Sequence, residues 1–489
     1  MSALESASRE ELLTLIAVLQ EQNTQAKAQV AALEEQNAAL AAEVDRLNGR
    51  VAELERRASR NSGNSSLPPS SDRFERPTKP AKPASGRKRG RQPGAPGSSL
   101  RLVENPDEIV DHRPKACGGC ARRLATKAPS LGFVRRQVVD IPPTSATVTE
   151  HRLHTVRCRC GVTTTAALPE NVADAAACYG PNLRALAVYL LVFQHVPVER
   201  TALLIKDLTG AEVSTGWVVS MLAKAAELAE DSVNLIKALL ILGHLLHADE
   251  TTTKVGGVRR WLHVAATEKL TFLGLASRSK AGADSLGVLP AFRGTLVHDS
   301  LSLYNGYTDA RHQLCGAHLI RELTAAEQDH LGQGWPAQIR WALSELNKQA
   351  ITARQMGWAT IPPERSTLYL KAFHQGVAVG LSLHPRVPGR KQSPARNLLE
   401  RLRDRSADVL RFCDDPLHGV FTNNCAERAV RPAKTQLKIS GTHQSEAGAA
   451  HWLKVRSYLD SARKHGLGAF EAIRRAFIGE VWMPPIALT

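Results

Sequence analysis

The sequence predicts an α/β core, a mixed sheet under helical cover with a large helical insertion. A coiled coil, a small cysteine-bearing module and a helical region precede it. Three observations predict this: leucines at heptad spacing before residue 58, two close cysteine pairs between positions 117 and 160, and strand-like runs with glycine turns from about position 241. The resulting division is 1–58, 59–99, 100–170, 178–240, 241–440 with a helical insertion at about 325–415, and 441–489.

At 489 residues the chain exceeds what one hydrophobic core spans, and a 43% hydrophobic fraction is ample for several modules. Its 63 Lys and Arg against 47 Asp and Glu give a net charge of +16, which points to a polyanionic partner such as nucleic acid or an acidic membrane surface. The longest apolar run, Ala185 to Phe193, is about half the roughly 20 residues a bilayer span needs. The polar, acidic start Met1-Ser-Ala-Leu-Glu-Ser is unlike a secretory signal. A cytoplasmic protein without a membrane segment is therefore expected, and a reducing compartment argues against disulfides among its eight cysteines.

The first module repeats in heptads. With Ile16, Asn23, Val30, Asn37, Val44 and Val51 at a, the d positions are Leu12, Leu19, Ala26, Leu33, Leu40, Leu47 and Leu54. β-Branched residues at a with leucine at d favour two parallel strands, and the asparagines at a fix register and partner number. The partner is most simply a second copy, giving a homodimer. The alternative is an amphipathic helix packed on its own domain.

Residues 59–99 are rich in Pro, Gly and Ser and cannot bury a core. Between Arg73 and Arg91 stand eight basic residues and one acid. The tract, with Arg87, Lys88, Arg89 and Arg91 at its end, reads either as an arm along DNA phosphates or as a solvated spacer. In the next module, Cys117-Gly-Gly-Cys120 and Cys158-Arg-Cys160 have the spacing of a tetrahedral thiolate site for structural Zn²⁺, with His151 and His154 near enough to substitute. Reduced, metal-free cysteines are the other reading. From Val196 to Gly210 and from Val213 to Leu222 two short helices flank a glycine turn, the pattern of a DNA-binding helix-turn-helix and equally of any helical hairpin.

The core opens with His247-Ala-Asp-Glu250, an acid at the exit of a short buried strand. A hairpin follows around Gly256-Gly257, then a strand at 270–276, a helix at about 281–292, and a strand at 295–298 ending in Asp299. Residues 310–421 read as mostly helical. Glu427 then begins a helix whose period places Glu427, Arg431 and Lys434 on one face, with Arg428 beside them. Acids at neighbouring strand exits repel unless a cation lies between them, and oxygen-only ligands suit Mg²⁺ or Mn²⁺. Taken alone, though, an Asp after a strand is more often a turn former.

The ordered motifs resemble an insertion-sequence-66-type DDE transposase over nearly the whole length. They are Asn-Ser-Gly-Asn-Ser-Ser-Leu-Pro-Pro-Ser-Ser-Asp (61–72), Gly-Arg-Lys-Arg-Gly-Arg-Gln-Pro-Gly (86–94), the paired cysteines, Ala-Asp-Glu-Thr (248–251) and His-Asp-Ser-Leu-Ser-Leu-Tyr (298–304). Gln-Leu-Cys-Gly-Ala-His-Leu-Ile-Arg-Glu-Leu (313–323) and Asn-Asn-Cys-Ala-Glu-Arg-Ala-Val-Arg-Pro (423–432) complete the series. The resemblance implies an RNase H-like fold and a catalytic metal triad of Asp249, Asp299 and Glu427. It also implies that Lys434 contacts the transposon end and that Cys315 and His318 form a Cys-x2-His element. The chain departs from the family pattern at Ala95, at Thr422 and in its tight second cysteine pair. The implied function is metal-dependent cleavage at the terminal inverted repeats of its element and transfer to target DNA, with companion proteins of the element as further partners. A non-enzymatic dimeric DNA-binding regulator and a hydrolytic nuclease on the same fold are the alternatives.

Overall fold

The computed structural model describes residues 8–61, 63–64, 100–142, 144–169 and 175–486. Most of the 59–99 linker, including Arg87, Lys88, Arg89 and Arg91, lies outside the described residues. The chain forms two compact units, one of residues 1–77, 236–252 and 260–432, the other of 78–235, 253–259 and 433–489.

The first unit begins with α1 (Arg9–Ala58), one uninterrupted helix. Ser8 caps it: its Oγ accepts the Glu11 N–H, and the Glu11 carboxylate accepts the Ser8 N–H in return. Its heptad seam is bare from Ile16 to Leu54, with Leu40 62% exposed. Packing of that stripe on the rest of the same chain is therefore not what the described residues show. Just past the helix the chain is fastened: Arg60 pairs with Asp329 at 2.5 Å, and the buried Asn64 donates to Gln328 Oε1 at 2.8 Å.

The sheet has the order β5-β4-β3-β6-β7, from strands β3 (Leu245–Val255), β4 (Val258–Ala266), β5 (Thr271–Ala276), β6 (Thr295–His298) and β7 (Arg311–Leu314). Gly256 and Gly257, both at positive φ, turn β3 into β4 as expected. β6 runs parallel to β3 and to β7, and β4 antiparallel to β5. Three sequence expectations are corrected. β7 falls inside the stretch read as helical, because Arg311-His-Gln-Leu has no apolar alternation. Its Gln313 is fully buried nonetheless, with Nε2 donating to the Leu314 carbonyl at 2.9 Å. The helix expected at 281–292 is broken into α6 (Lys280–Ser285) and a single 3-10 turn at Leu289–Ala291, since Gly287 sits at φ +77° and Pro290 follows. Finally, Asp249 is not at a strand exit. β3 leaves its parallel ladder with β6 after His247 but continues to Val255, because its other edge carries the hairpin.

The insertion is a helical layer of α7 (Gly316–Asp329), α8 (Trp335–Met356), α9 (Pro363–Leu383), α10 (Pro394–Asp404) and α11 (Ser406–Asp414). Leu319, Trp335, Ile339, Phe373, Leu399 and Leu402 anchor its core. α9 meets α8 and α10 across Gly376 and Gly380: a Cβ on Gly380 would stand 2.5 Å from Leu399 Cδ2. Gly380→Val is expected to lower thermal stability by about 1–3 kcal/mol through overpacking, read in a melt of the full chain. A melt equal to wild type would show that the helices can part there freely.

In the second unit a small hairpin, β1 (Thr155–Arg157) with β2 (Thr163–Thr165), lies in the cysteine module. The helices are α2 (Pro181–Val188), α3 (Val198–Thr209), α4 (Thr215–Leu228), the first part of α5 (Glu230–Leu242), α13 (Glu446–Lys464) and α14 (Ala469–Phe477). The expected helix-turn-helix pattern is present. α3 ends at Gly210 with φ +71°, and the Ser214 hydroxyl caps α4 by accepting the Trp217 N–H at 3.1 Å. α4 packs on α13 and buries Val218, Leu222 and Ala225. Arg456 of α13 is buried, paired with Asp460 at 3.0 Å and stacked 4.9 Å from the Phe193 ring.

Candidate active site

Leu246, His247 and Ala248 bury β3 completely up to Asp249. Asp299 follows β6, whose four residues are all buried. Its Oδ1 accepts the Leu301 N–H at 3.0 Å, an Asx turn that fixes the carboxylate. The next residue, Ser300, holds φ +80° without being glycine, local strain of the kind that marks functional turns. The Ser300 N–H donates to His298 Nδ1 at 3.1 Å, so His298 Nε2 carries the proton and donates to His312 Nδ1 at 3.1 Å. His312 Nε2 in turn donates to the Tyr307 carbonyl at 3.1 Å. Burial holds both imidazoles below their ordinary range, in keeping with this neutral relay, which ties β6 to β7 beside Asp299.

Glu427 lies in the first turn of α12 (Asn424–Ile439) and reaches the same place through Asn423. Asn423 is fully buried. Its Oδ1 accepts from His247 Nδ1 at 3.0 Å, its Nδ2 donates to the Ala248 carbonyl at 2.7 Å, and its N–H donates to Cys315 Sγ at 3.1 Å. One side chain thus fastens the start of α12 to β3 on the two residues before Asp249, and the backbone beside it to the start of α7. Gly316 permits this approach, since a Cβ there would lie 2.3 Å from the Phe421 ring.

The electrostatics record the convergence. Asp249 is pushed up to about 8, first by burial, then by Asp299 and Glu250 and, more weakly, by Glu427, against one hydrogen bond from the Glu250 N–H. Glu427 Oε1 stands 3.8 Å from His318 Nδ1 and 3.6 Å from Arg321 Nη2, and neither Oε1 nor His318 Nδ1 has a hydrogen-bond partner although both atoms are buried. A crowded, under-neutralised set of carboxylate oxygens fits a hard divalent cation. The three carboxylates do not close into one tight trio, however. Among the described residues the group whose ligand atoms lie within 4.8 Å of one another is Cys315, His318 and Glu427.

Glu250 lies close enough to act on Asp249 but has partners of its own. Arg278 pairs with its Oε1 at 2.9 Å while stacking 4.3 Å from the Trp261 ring, and the Tyr304 hydroxyl donates to its Oε2 at 2.8 Å. Burial and Asp299 raise the Glu250 carboxyl, while Tyr304 and Arg278 oppose them. Sequence reading gave no role to Asn423, Arg278, Tyr304, His312 or Arg321. For Asn423 the signal was available, because it begins the Asn-Asn-Cys-Ala-Glu motif; for Arg278 and Trp261 there was none. On α12, Arg428 and Arg431 are exposed and Lys434 is half-buried.

The cysteine pairs sit on two separate turns. Cys117 N–H donates to the Arg122 carbonyl at 2.9 Å and Ala121 N–H to the Cys117 carbonyl at 3.0 Å, while Cys158 N–H donates to the Val162 carbonyl at 2.8 Å. Hydrogen bonds from Cys120 and Cys160 hold the Cys117 and Cys158 thiols below their usual range, which suits metal binding. Among the described residues no three of the four sulfurs lie within 4.8 Å of one another.

Residues 176–451, more than half of the 489, match the family model described as Transposase IS66 family. The chain belongs to that family. Residues 114–161, which include all four cysteines of the two pairs, match the zinc-finger binding domain of transposase IS66, and this family membership supports a structural zinc. Residues 3–101, which span α1, match a family of unknown function, DUF6444. No curated protein matches the chain. No helix among the described residues is long and apolar enough to cross a membrane.

Proposed function

We propose that this transposase has an RNase H-like core and uses Asp249, Asp299 and Glu427 as its catalytic carboxylates, holding Mg²⁺ or Mn²⁺, to cleave DNA at the terminal inverted repeats of its element and join the freed 3′ ends to target DNA. The observation that carries this reading is the Asn423 clamp, which brings Glu427 to the strand of Asp249 across a long helical insertion. Asp249, Asp299 and Glu427 would hold the ions, whose chemistry when bound would be Lewis-acid activation of a water or 3′-hydroxyl and charge stabilisation of a leaving oxygen. The protein's own part is positional. Asn423 and the Ser300–His298–His312 relay fix the carboxylates, Arg278 and Tyr304 keep Glu250 out of the ligand set, and Arg428, Arg431 and Lys434 offer cations to phosphates.

In the same reading, four thiolates from Cys117, Cys120, Cys158 and Cys160 hold the zinc, and the basic arm at Arg87, Lys88, Arg89 and Arg91 follows DNA, as do α3 and α4. The bare seam of α1 pairs two copies, and companion proteins of the element complete the assembly on cytoplasmic DNA. The modules follow the sequence division: 1–58 pairing, 59–99 linker, 100–170 zinc, 178–240 DNA contact, 241–440 catalysis and a C-terminal helical region at 441–489.

The test is incubation of the full chain with element-end DNA and a labelled target plasmid, with and without Mg²⁺. Joined product only with Mg²⁺ supports transposition, uncut DNA supports a regulator, and cleavage without joining supports a nuclease. Deleting residues 1–58 is expected to halve the mass seen by light scattering and weaken the pairing of two ends. An unchanged mass would place the subunit contact elsewhere.

A further inference from the structure

Cys315, His318 and Glu427 form a cluster that the positioning of Asp249 and Asp299 does not explain. Their ligand atoms lie within 4.8 Å of one another, and Cys315 is buried. A tetrahedral centre with Zn–N and Zn–O near 2.0 Å and Zn–S near 2.3 Å needs ligand atoms about 3.3–3.6 Å apart. His318 Nδ1 and Glu427 Oε1 are already 3.8 Å apart, so they need move only a few tenths of an ångström. Both are buried atoms without a hydrogen-bond partner, an arrangement that costs free energy unless something is bound. Cys315 Sγ accepts the Asn423 N–H at 3.1 Å, the outer contact that orients a thiolate toward a metal.

We propose that Cys315 Sγ, His318 Nδ1 and Glu427 Oε1 form a site for a soft divalent cation such as Zn²⁺, and that its occupancy withdraws Glu427 from the catalytic carboxylates. A sulfur, a nitrogen and one oxygen select Zn²⁺ or Co²⁺ over Mg²⁺, whereas carboxylates alone suit Mg²⁺. Binding releases the Cys315 thiol proton to solvent, forms the metal–sulfur bond and leaves a coordination position for water. One Glu427 carboxylate cannot orient fully toward both centres, so the soft ion inhibits the Mg²⁺-dependent reaction by competing for this residue. The binding site stands on its three ligands alone; the competition rests on the reading of Glu427 as a catalytic carboxylate.

The test uses the full chain carrying one equivalent of Zn²⁺ and titrated with Co²⁺, followed by thiolate-to-cobalt charge-transfer absorption. A further equivalent is expected in the wild-type chain, with its thiolate band lost in Cys315→Ser and its affinity lowered about 100-fold or more in His318→Ala. Thermal melts of the two variants confirm folding, and Cys117→Ser with Cys120→Ser leaves this equivalent in place. Identical Co²⁺ stoichiometry and spectra for wild type and Cys315→Ser overturn the site. In strand-transfer assays at fixed Mg²⁺, micromolar Zn²⁺ is expected to inhibit the wild-type chain about tenfold more than Cys315→Ser. Equal inhibition overturns the competition. Cobalt binding without any strand transfer keeps the site and removes the catalytic reading, whereas strand transfer without the cobalt band does the reverse.

Discussion

Asp249→Asn, Asp299→Asn and Glu427→Gln are each expected to abolish Mg²⁺-dependent strand cleavage and joining while leaving binding to element-end DNA intact. On the proposed reading each change would remove one anionic ligand from a metal site whose charge stabilisation would contribute several kcal/mol to the transition state. A loss of about 4 kcal/mol is about a thousandfold in rate. A second readout separates ligand loss from misfolding. In the metal-free chain burial first, and Asp299 and Glu250 next, push Asp249 up to about 8, so near pH 7 the folded chain takes up a proton that the unfolded chain lacks. The neutral isostere removes that cost and raises the melting temperature near pH 7, with the gain vanishing as the pH falls below the ordinary carboxylate range. Added Mg²⁺ then stabilises the wild-type chain but not the variant, because only ligands bound by the folded state shift the melt. Strand transfer within tenfold of wild type by any of the three variants would remove that residue from the triad.

Much of this unit was legible in the sequence because local chemistry and fold agree there. The Gly256-Gly257 hairpin, the β6 strand and the helices of the insertion follow from turn residues and period. So do α1 and the paired helices around Gly210. What escaped was set by tertiary context. β7 is a strand because β6 offers an edge, and its His312 and Gln313 find internal partners that no pattern of apolar residues signals. The end of the buried run predicts a strand end at Asp249, yet the strand continues to Val255 on the strength of its hairpin partner. Among the candidate site residues, the acids and Asn423 stand in ordered motifs, while the groups around Glu250 do not. The Arg278–Trp261 stack that restrains Glu250 joins residues with no shared motif. The cysteine module shows the opposite limit. Its spacing predicts one four-thiolate centre, while the backbone turns that carry the two pairs, closed by the Cys117–Arg122 and Cys158–Val162 hydrogen bonds, are not specified by spacing alone.

The strongest consequence of the geometry concerns Asn423, which touches no acid directly. Asn423→Ala removes the buried hydrogen bonds to His247 Nδ1 and to the Ala248 carbonyl, each loss costing about 1–2 kcal/mol. Thermal stability is expected to fall by about 2–4 kcal/mol in total. The larger effect is on the reaction. Without the clamp the start of α12 is free to shift against β3, and a displacement of about 1 Å at Glu427 costs about a hundredfold in rate. Mg²⁺ affinity measured by thermal shift is expected to weaken with it, because on the proposed reading Glu427 would no longer be held at the strand of Asp249. Asn423→Asp is the sharper probe. It keeps the shape and still accepts from His247, yet it sets a carboxylate oxygen against the Ala248 carbonyl and adds an anion beside three others. If position is what matters, both variants lose strand transfer, and raised Mg²⁺ restores Asn423→Asp more than Asn423→Ala, because the added cation offsets the extra charge but cannot rebuild a lost clamp. Wild-type melting and strand transfer in Asn423→Ala would show that α12 is held in place by its own packing, with Ala426 and Val430 sufficient to deliver Glu427.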